Sequence, residues 1–321
     1  MGNIMEMCDG GKAEAAREKA AREKAAKEKF AKEKAAAKNE LEHVQPGLNS
    51  LTEAIKKAKK YGIKDIFLLS GMHDEEGEQV IIDFALKLVG ENKDDVKIRA
   101  SLRIKGEKSE DVFFRDFTVT GGKERDESYI NEQHKYAGYY SGVAGSYMGA
   151  SMHLKNVCVE KCGIGVYMNG TSRNTMVDCN VNNNKESGVH VGYGGCLSIG
   201  GSATKIHHNG TDGKKTSYGL DTGGSTLLED QNISPSSLPR NLHSEDTQTQ
   251  KNYLFFKSGG GGCINLKSLK KINIFDNGGG GNYGGKGRIE TTGIAGDFEA
   301  WKIKLKIKHI KIYCFLFSET E

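Results

Sequence analysis

The sequence predicts an all-β solenoid, in which short strands stack coil upon coil, and two observations support this fold class. Residues 152–219 hold three copies of a unit a little over twenty residues long. Each copy has a short alternating apolar run, a polar corner, and a Gly followed by an aliphatic residue, and a period of this length is typical of stacked repeats. The composition agrees, because 42 Gly against 3 Pro suits a chain that turns every few residues. The Gly pairs are Gly165-Val166, Gly188-Val189 and Gly219-Leu220.

Inside each unit, apolar and polar residues alternate with a period of two, which predicts strands separated by turns. Strands stacked about 4.8 Å apart form a parallel sheet whose inward positions hold the apolar residues. Cys179 falls on such an inward position, so we expect it to be buried as a small apolar side chain. The corners carry Cys162, Asn184 and Asn209. We interpret the two Asn as a stacked amide ladder inside the turn rather than as a ligand site.

With these units, residues 49–289 resemble the right-handed parallel β-helix family, the superfold of pectate-lyase-like proteins. The resemblance implies a right-handed parallel β-helix solenoid with an N-terminal capping helix. It does not imply one activity, because this fold carries lyases, hydrolases, epimerases, adhesins and non-catalytic modules.

Two helices are predicted before the solenoid. Residues 16–35 read AREKA AREKA AKEKF AKEKA, a repeat of helix formers with no apolar seam, which predicts a long charged helical N-terminal extension. A semi-rigid spacer is the simpler interpretation, and a basic arm that contacts anionic surfaces is the alternative. Residues 50–60 have one narrow apolar face and begin with a capping box at Ser50 and Glu53, which predicts the helix that covers the first coil.

These segments divide the chain into an extension and linker (1–47), a β-helix domain (48–300) and a Lys-rich tail (301–321). The tail alternates Lys with apolar residues. This pattern suits an edge strand whose Lys side chains block further pairing.

The enzymes that the chain resembles use either several Asp around calcium with a basic proton acceptor, or close Asp residues with a His and an Arg-x-Lys pair. Arg103 and Lys105 fit the last pattern, but they precede any coil that supplies acidic partners, so we interpret them as outward strand charges. Asp178 and Asp221 are the only Asp at plausible coil positions. No complete catalytic set is found. This favours a non-catalytic binding or scaffold protein that recognises a carbohydrate or protein surface.

Two other functions stay open. One is a polysaccharide lyase or glycoside hydrolase of the same superfold, which requires clustered carboxylates on one face. The other is a purely structural spacer.

The candidate ligand-binding residues are five Tyr in the insertion at residues 121–149, together with His190. Tyr offers a flat apolar face with a polar rim, which suits sugar rings or a partner's pocket. His190 lies between two Val and is therefore predicted to face outward. A loop folded on its own aromatic residues is the alternative for the insertion. The Tyr residues are Tyr129, Tyr136, Tyr139, Tyr140 and Tyr147.

The charge and the cysteine content limit which partners and which cellular compartment are expected. The net charge of +4 comes from the two termini, so the predicted solenoid is not basic and no nucleic acid partner is expected. No apolar run is long enough to span a membrane. Seven Cys without a CxxC pair and no apolar leader favour a cytoplasmic protein, with secretion left open by three Asn-x-Ser/Thr sites. No cofactor and no metal are predicted.

Overall fold

The computed structural model describes ten stretches of the chain, within which two helices and 21 strands are found. The described residues are 9–107, 109–121, 141–145, 150–169, 173–192, 195–215, 217–223, 263–267, 272–285 and 288–292. The helices are α1 (Asp9–Leu41) and α2 (Ser50–Tyr61). The strands in chain order are β1 (Gly47–Leu48), β2 (Asp65–Leu68), β3 (Gly71–Ile82), β4 (Leu86–Gly90), β5 (Val96–Ile104), β6 (Val112–Arg115), β7 (Thr118–Thr120), β8 (Ser141–Gly145), β9 (Met152–Lys155), β10 (Cys158–Glu160), β11 (Ile164–Asn169), β12 (Arg173–Val177), β13 (Asn180–Asn182), β14 (Val189–Gly192), β15 (Cys196–Gly200), β16 (Lys205–His207), β17 (Tyr218–Thr222), β18 (Cys263–Lys267), β19 (Asn273–Phe275), β20 (Gly281–Gly285) and β21 (Arg288–Thr292).

The described strands form two parallel sheets. The smaller has eight strands in the order β2-β4-β6-β9-β12-β15-β18-β21. The larger has thirteen, and its main path runs β19-β16-β13-β10-β7-β5-β8-β11-β14-β17-β20. One strand of the smaller sheet, such as β9, is followed by two strands of the larger, β10 and β11, before the chain returns with β12. Successive coils therefore stack in parallel, and the prediction of a mostly β, parallel architecture is confirmed. Its right-handed winding stays a prediction.

The register of the coils follows the repeat read from the sequence. Val166 is paired with Val189, and Val189 with Leu220, so the three Gly-aliphatic pairs stack as predicted. All three side chains are fully buried. Because inward positions of consecutive coils meet the same neighbours, they form one continuous apolar core.

The predicted amide ladder is confirmed and is longer than expected. The Asn184 side chain donates from Nδ2 to Asn209 Oδ1 at 2.8 Å, and Asn209 Nδ2 lies 2.9 Å from Asn277 Oδ1. Asn209 Nδ2 also donates to the Val181 carbonyl, and the Asn184 backbone N–H donates to Asn209 Oδ1. The first rung is different, since the backbone N–H of Cys162 donates to Asn184 Oδ1. Buried polar atoms at the corners are thereby paired, coil after coil.

Burial as small apolar side chains was expected for Cys158, Cys162, Cys179 and Cys196, and it holds for the first three, whereas Cys196 is exposed. Cys179 is fully buried, as predicted, and Cys158 is 7% exposed. Burial raises the pKa of Cys158 to about 11 and that of Cys179 to about 12, because a thiolate is poorly solvated there. Neither thiol is therefore activated as a nucleophile or a metal ligand.

Helix α2 covers the first coil where the cap was predicted, but its N-terminus is held differently. No capping box forms: the Ser50 hydroxyl lies 2.8 Å from Nδ1 of His73, and Asn49 precedes the helix without a side-chain cap. The backbone N–H of Leu51 donates to Oε1 of Glu75 at 2.8 Å. A carboxylate from β3 thus caps the N-terminus of α2, where negative charge is favourable.

Helix α1 is exposed over most of its length, and its last turns pack against α2. The i,i+4 ion pair between Glu18 and Arg22 is present on the exposed part. The Phe30 ring lies 5.6 Å from the Tyr61 ring, and Ala37 and Leu41 are buried. The C-terminal part of this charged helix is therefore not solvated on all sides, because apolar residues anchor it against α2.

Candidate functional site

A row of outward side chains crosses neighbouring strands of the larger sheet. Ala144, Tyr167, His190 and Asp221 are paired in register on β8, β11, β14 and β17. They face outward because the residues before them, such as Val166 and Val189, occupy the core. The predicted outward orientation of His190 is confirmed. We call Tyr167, His190 and Asp221 the coil row.

His190 and Asp221 form the closest polar contact of the coil row. Nδ1 of His190 lies 2.7 Å from Oδ2 of Asp221. A carboxylate only accepts hydrogen bonds, so Nδ1 carries the proton and donates, and in the neutral ring Nε2 keeps a lone pair. The two side chains are 20% and 13% exposed, which places the pair in a recess and limits its screening by water. The arrangement fixes the tautomer of the imidazole.

Tyr167 and Asn169 extend this contact along β11. The Tyr167 and His190 rings are stacked, with centroids 5.2 Å apart and planes inclined by 8°. Asn169 donates from Nδ2 to the Tyr167 hydroxyl at 2.7 Å. Its other amide atom, Oδ1, has no hydrogen-bond partner among the described residues, although the residue is only 8% exposed. An unpaired buried acceptor costs free energy, because it has lost its hydrogen bonds to water.

Two glycines pack closely against the imidazole. A methyl group on Gly192 would lie 3.0 Å from Asn169 Oδ1 and 3.2 Å from His190 Nε2. A methyl group on Gly223 would lie 2.8 Å from the same Nε2. A side chain at either glycine would therefore displace the imidazole or the amide.

The other predicted site residues are distributed as follows. Tyr129, Tyr136, Tyr139, Tyr140 and Tyr147 lie outside the described residues. The prediction of one loop-forming insertion over residues 121–149 is wrong for residues 141–145, which form the buried strand β8, paired with β11 next to Tyr167. Arg103 is paired with Ala144 and so belongs to the same line of outward positions, one strand beyond it. Asp178 stands at a tight corner with φ 54° and is not part of the row.

Sequence reasoning overlooked Tyr167 and Asn169. The signal for Tyr167 was present, because Tyr167, His190 and Asp221 each follow one of the three Gly-aliphatic pairs. Stacking those pairs places the three residues side by side. Nothing in the sequence shows that one amide atom of Asn169 stays unpaired, since this depends on the distance to the neighbouring rings.

The smaller sheet carries a second surface, a groove of about 600 Å³ that is lined by nine residues. The Phe113 and His153 rings are stacked in it with centroids 4.6 Å apart, and Phe113 is 46% exposed. His153 also contacts Thr175 Oγ1 through Nδ1 at 2.9 Å, and burial lowers its pKa. The cations are partly engaged, because Arg115 pairs with Asp116. The lining residues are Lys87, Phe113, Phe114, Arg115, His153, Leu154, Lys155, Thr175 and Val177.

The adjacent His207 and His208 contact each other. Their Nδ1 atoms are 2.6 Å apart, and Nε2 of His207 lies 3.0 Å from Asn180 Oδ1. The His207 ring is stacked on Phe275 at 4.9 Å. In the described part of the chain no three His, Cys, Asp or Glu side chains are grouped so that they could hold a metal ion.

Comparison with known proteins gives little beyond this geometry. No family model matches the chain, and no curated protein matches it. A similar solved structure is the catalytic domain of a GH87 alpha-1,3-glucanase in complex with tetrasaccharides, at 16% identity and a TM-score of 0.37. The match covers 57% of this chain and 34% of the glucanase chain. Among the described helices, none has a stretch long and apolar enough to cross a membrane.

Proposed function

We propose that residues 48–300 form a right-handed parallel β-helix that binds a carbohydrate chain across its coils, with the coil row as the contact surface. The observation that carries this proposal is the recessed row itself. Stacked planar rings, a carboxylate and an amide lie on neighbouring strands. Sugars present hydroxyl groups around an apolar ring face, and such a row offers partners for both.

The coil row suits an extended ligand better than a compact one. Its members repeat with the strand spacing, about 4.8 Å, so a chain laid along the stacking direction would follow the coils in step. His190 and Asp221 are partly exposed, whereas Tyr167 is buried, with 5% exposure. The Tyr-bearing insertion at residues 121–149 is proposed as an additional wall of this site. Within this range, residues 141–145 form β8, which is paired with β11 at Tyr167.

Oligosaccharide binding to the full chain tests the proposal. Isothermal titration with soluble hexasaccharides that are neutral, acidic or amino-substituted is expected to give saturable heat for at least one class. His190→Ala should abolish that heat. His207→Ala is the matched control, because His207 is also stacked on an aromatic ring but lies outside the coil row. Equal loss in both variants, or no binding by any hexasaccharide, would refute the proposal.

Acid–base chemistry on the bound chain is a second candidate, favoured by the Asp221–His190 contact. A carboxylate on Nδ1 leaves Nε2 as the basic atom, which is the arrangement that general-base catalysis requires. If the protein cleaves the chain, new reducing or unsaturated ends will accumulate with the native protein and not with His190→Ala. Their absence over long incubation leaves binding as the function.

A further inference from the structure

We propose that the groove on the smaller sheet binds an extended acidic segment of a partner protein, in which apolar and acidic residues alternate. The groove lies on β4, β6, β9 and β12 and has a volume of about 600 Å³. It is on a different sheet from the coil row, so this proposal does not depend on the carbohydrate site. It follows from two lines of side chains that run across the coils within the groove.

The first line consists of two aromatic rings, which we call the ring line. Phe113 and His153 are paired in register on β6 and β9, and their ring centroids are 4.6 Å apart. Phe113 is nevertheless 46% exposed, so the ring line presents apolar surface to the groove. Among the nine described lining residues the only hydroxyl is that of Thr175, which His153 engages at 2.9 Å. The ring line therefore suits apolar side chains better than polar ones.

The second line consists of two cations, which we call the cation line. Arg115 lies directly opposite Lys155, two residues beyond the ring line on the same strands. Like charges directly opposite each other destabilise a sheet. Arg115 is paired through Nε with Asp116 at 2.8 Å, whereas Lys155 is exposed and has no ion-pair partner among the described residues. An acidic ligand would relieve this repulsion.

A third cation lies at one end of the ring line. Lys87 is in register with it on β4, and its Nζ is 3.9 Å from Asp65, which is too far for a hydrogen bond. Asp111 lies 3.9 Å from the imidazole of the ring line. Asp116 is thus the one carboxylate in direct contact with a cation of the groove, within the part of the chain that the structure describes. Lys87 and Lys155 are available to a ligand.

The spacing of the two lines suits an extended peptide. Residues two apart on a strand are separated by about 7 Å, so the cation line runs about 7 Å from the ring line. Successive side chains of an extended peptide point to opposite sides. A peptide laid along the groove, across the coils, can therefore turn every second residue to the ring line and the others to the cation line. Apolar residues then contact Phe113, and carboxylates contact Lys155 and Arg115.

Binding of three labelled octapeptides to the full native chain tests the proposal by fluorescence anisotropy. The first alternates glutamate with leucine, the second has glutamine in place of glutamate, and the third has serine in place of leucine. The first is expected to bind at least tenfold more tightly than either of the others. Its affinity should fall as the salt concentration rises, because exposed charges are screened.

Two variants with matched controls locate the site, and all four melting temperatures are measured first. Lys155→Glu should weaken binding of the glutamate–leucine peptide tenfold or more, whereas Lys205→Glu, at an exposed lysine on β16 of the larger sheet, should not. Phe113→Ser should cause a similar loss. Phe275→Ser is its control, because Phe275 is 38% exposed and is also stacked on a histidine, His207.

Three results would overturn the proposal. One is an absence of binding of the glutamate–leucine peptide by the folded native chain. Another is equal binding of the glutamine peptide, or undiminished binding by Lys155→Glu, since the cation line is then not used. The third is displacement of the peptide by a galacturonate hexamer that binds tenfold more tightly, which assigns the groove to an acidic glycan. His190→Ala should bind the peptide as the native chain does, which separates this groove from the coil row.

Discussion

Two histidine clusters in this molecule differ in how completely their polar atoms are used. At the first coil, His73 is fully buried, with Nδ1 on the Ser50 hydroxyl and Nε2 on the Leu69 carbonyl at 3.0 Å. In the coil row, His190 uses Nδ1 for Asp221, and Nε2 lies beside Gly192 and Gly223. Both His lie on strands of the same sheet. The first cluster has hydrogen-bond partners for both ring nitrogens and stabilises the cap, whereas the second is held through Nδ1.

The same contrast separates two asparagines. Asn209 is fully buried and has partners for both amide atoms, in the ladder and on the Val181 carbonyl. Asn169 is almost as buried but leaves Oδ1 unpaired. A group whose atoms are all paired costs stability when it is removed, and an unpaired one does not.

The largest loss in the free energy of unfolding is therefore expected for a substitution in the amide ladder. Asn209→Leu should lower the free energy of unfolding by about 3 kcal/mol or more, because the Asn184 N–H and the Val181 carbonyl lose partners in the core. Asn169→Leu should lower it by about 1 kcal/mol, because the hydrogen bond from Nδ2 to the Tyr167 hydroxyl is lost while an unpaired acceptor is removed. Urea unfolding of both variants measures the difference. Equal losses would mean that Asn169 is a packing residue and not part of a site.

A second prediction concerns the carboxylate that caps α2. Glu75→Ala should destabilise the protein by about 2 kcal/mol, because the buried N–H of Leu51 loses its acceptor at the helix end. Glu76→Gly is the neighbouring control. Glu76 is exposed with φ 54°, a conformation that Gly adopts easily, so a change within about 0.5 kcal/mol is expected. A stable Glu75→Ala protein would contradict the account of the cap.

Substitution of His73 or His190 is expected to change the free energy of unfolding by less. His73→Leu should cost about 1.5 kcal/mol, because the buried Leu69 carbonyl loses its donor. For His190→Leu a similar cost is expected, because the Asp221 carboxylate, which is 13% exposed, loses its hydrogen-bond donor. Thermal and urea unfolding should agree on both values. A loss below about 0.5 kcal/mol in either variant would contradict the account of that cluster.

The smallest effect is on pH dependence. Burial lowers the pKa of His73 below its ordinary value of 6.5. The unfolded chain then binds this proton more readily than the folded one, so stability is complete above the ordinary value and falls as pH drops toward the folded value. The loss between pH 7 and pH 5 should be smaller in His73→Gln than in the native protein. If the pH dependence of stability is the same in His73→Gln and in the native protein, protonation of His73 does not contribute to it.

The repeat made the coils predictable, and the reason is physical. In-register stacking places the same side-chain types at the same corner, so Gly165, Gly188 and Gly219 could be aligned by eye and their strands assigned. The register of Asp221 beside His190 is harder to predict, because the chain between them is longer than in the preceding coil. Its position follows only if the Gly-aliphatic pairs are taken as fixed points.

The cap shows the opposite case. Glu75 and His73 lie in an outwardly polar stretch of β3, beside an irregularity between Asp74 and Gln79, and nothing in the local pattern predicts that both are buried. Their burial depends on the N-terminus of α2, which lies more than twenty residues earlier in the chain. Local propensity favoured Ser50 and Glu53 as the cap, and a tertiary contact replaced them.

The state of the histidine ring nitrogens tests the central claim most directly. Two-bond nitrogen–proton spectra of the ¹⁵N-labelled native chain resolve the protonated and unprotonated nitrogens of its nine His. In the free protein, His190 is expected to carry its proton on Nδ1 and His73 on Nε2. Addition of a hexasaccharide that binds the native chain should shift Nε2 of His190 and leave both nitrogens of His73 in place. A shift at His73, or none at His190 under saturating ligand, would contradict the division between a closed cap and an open site.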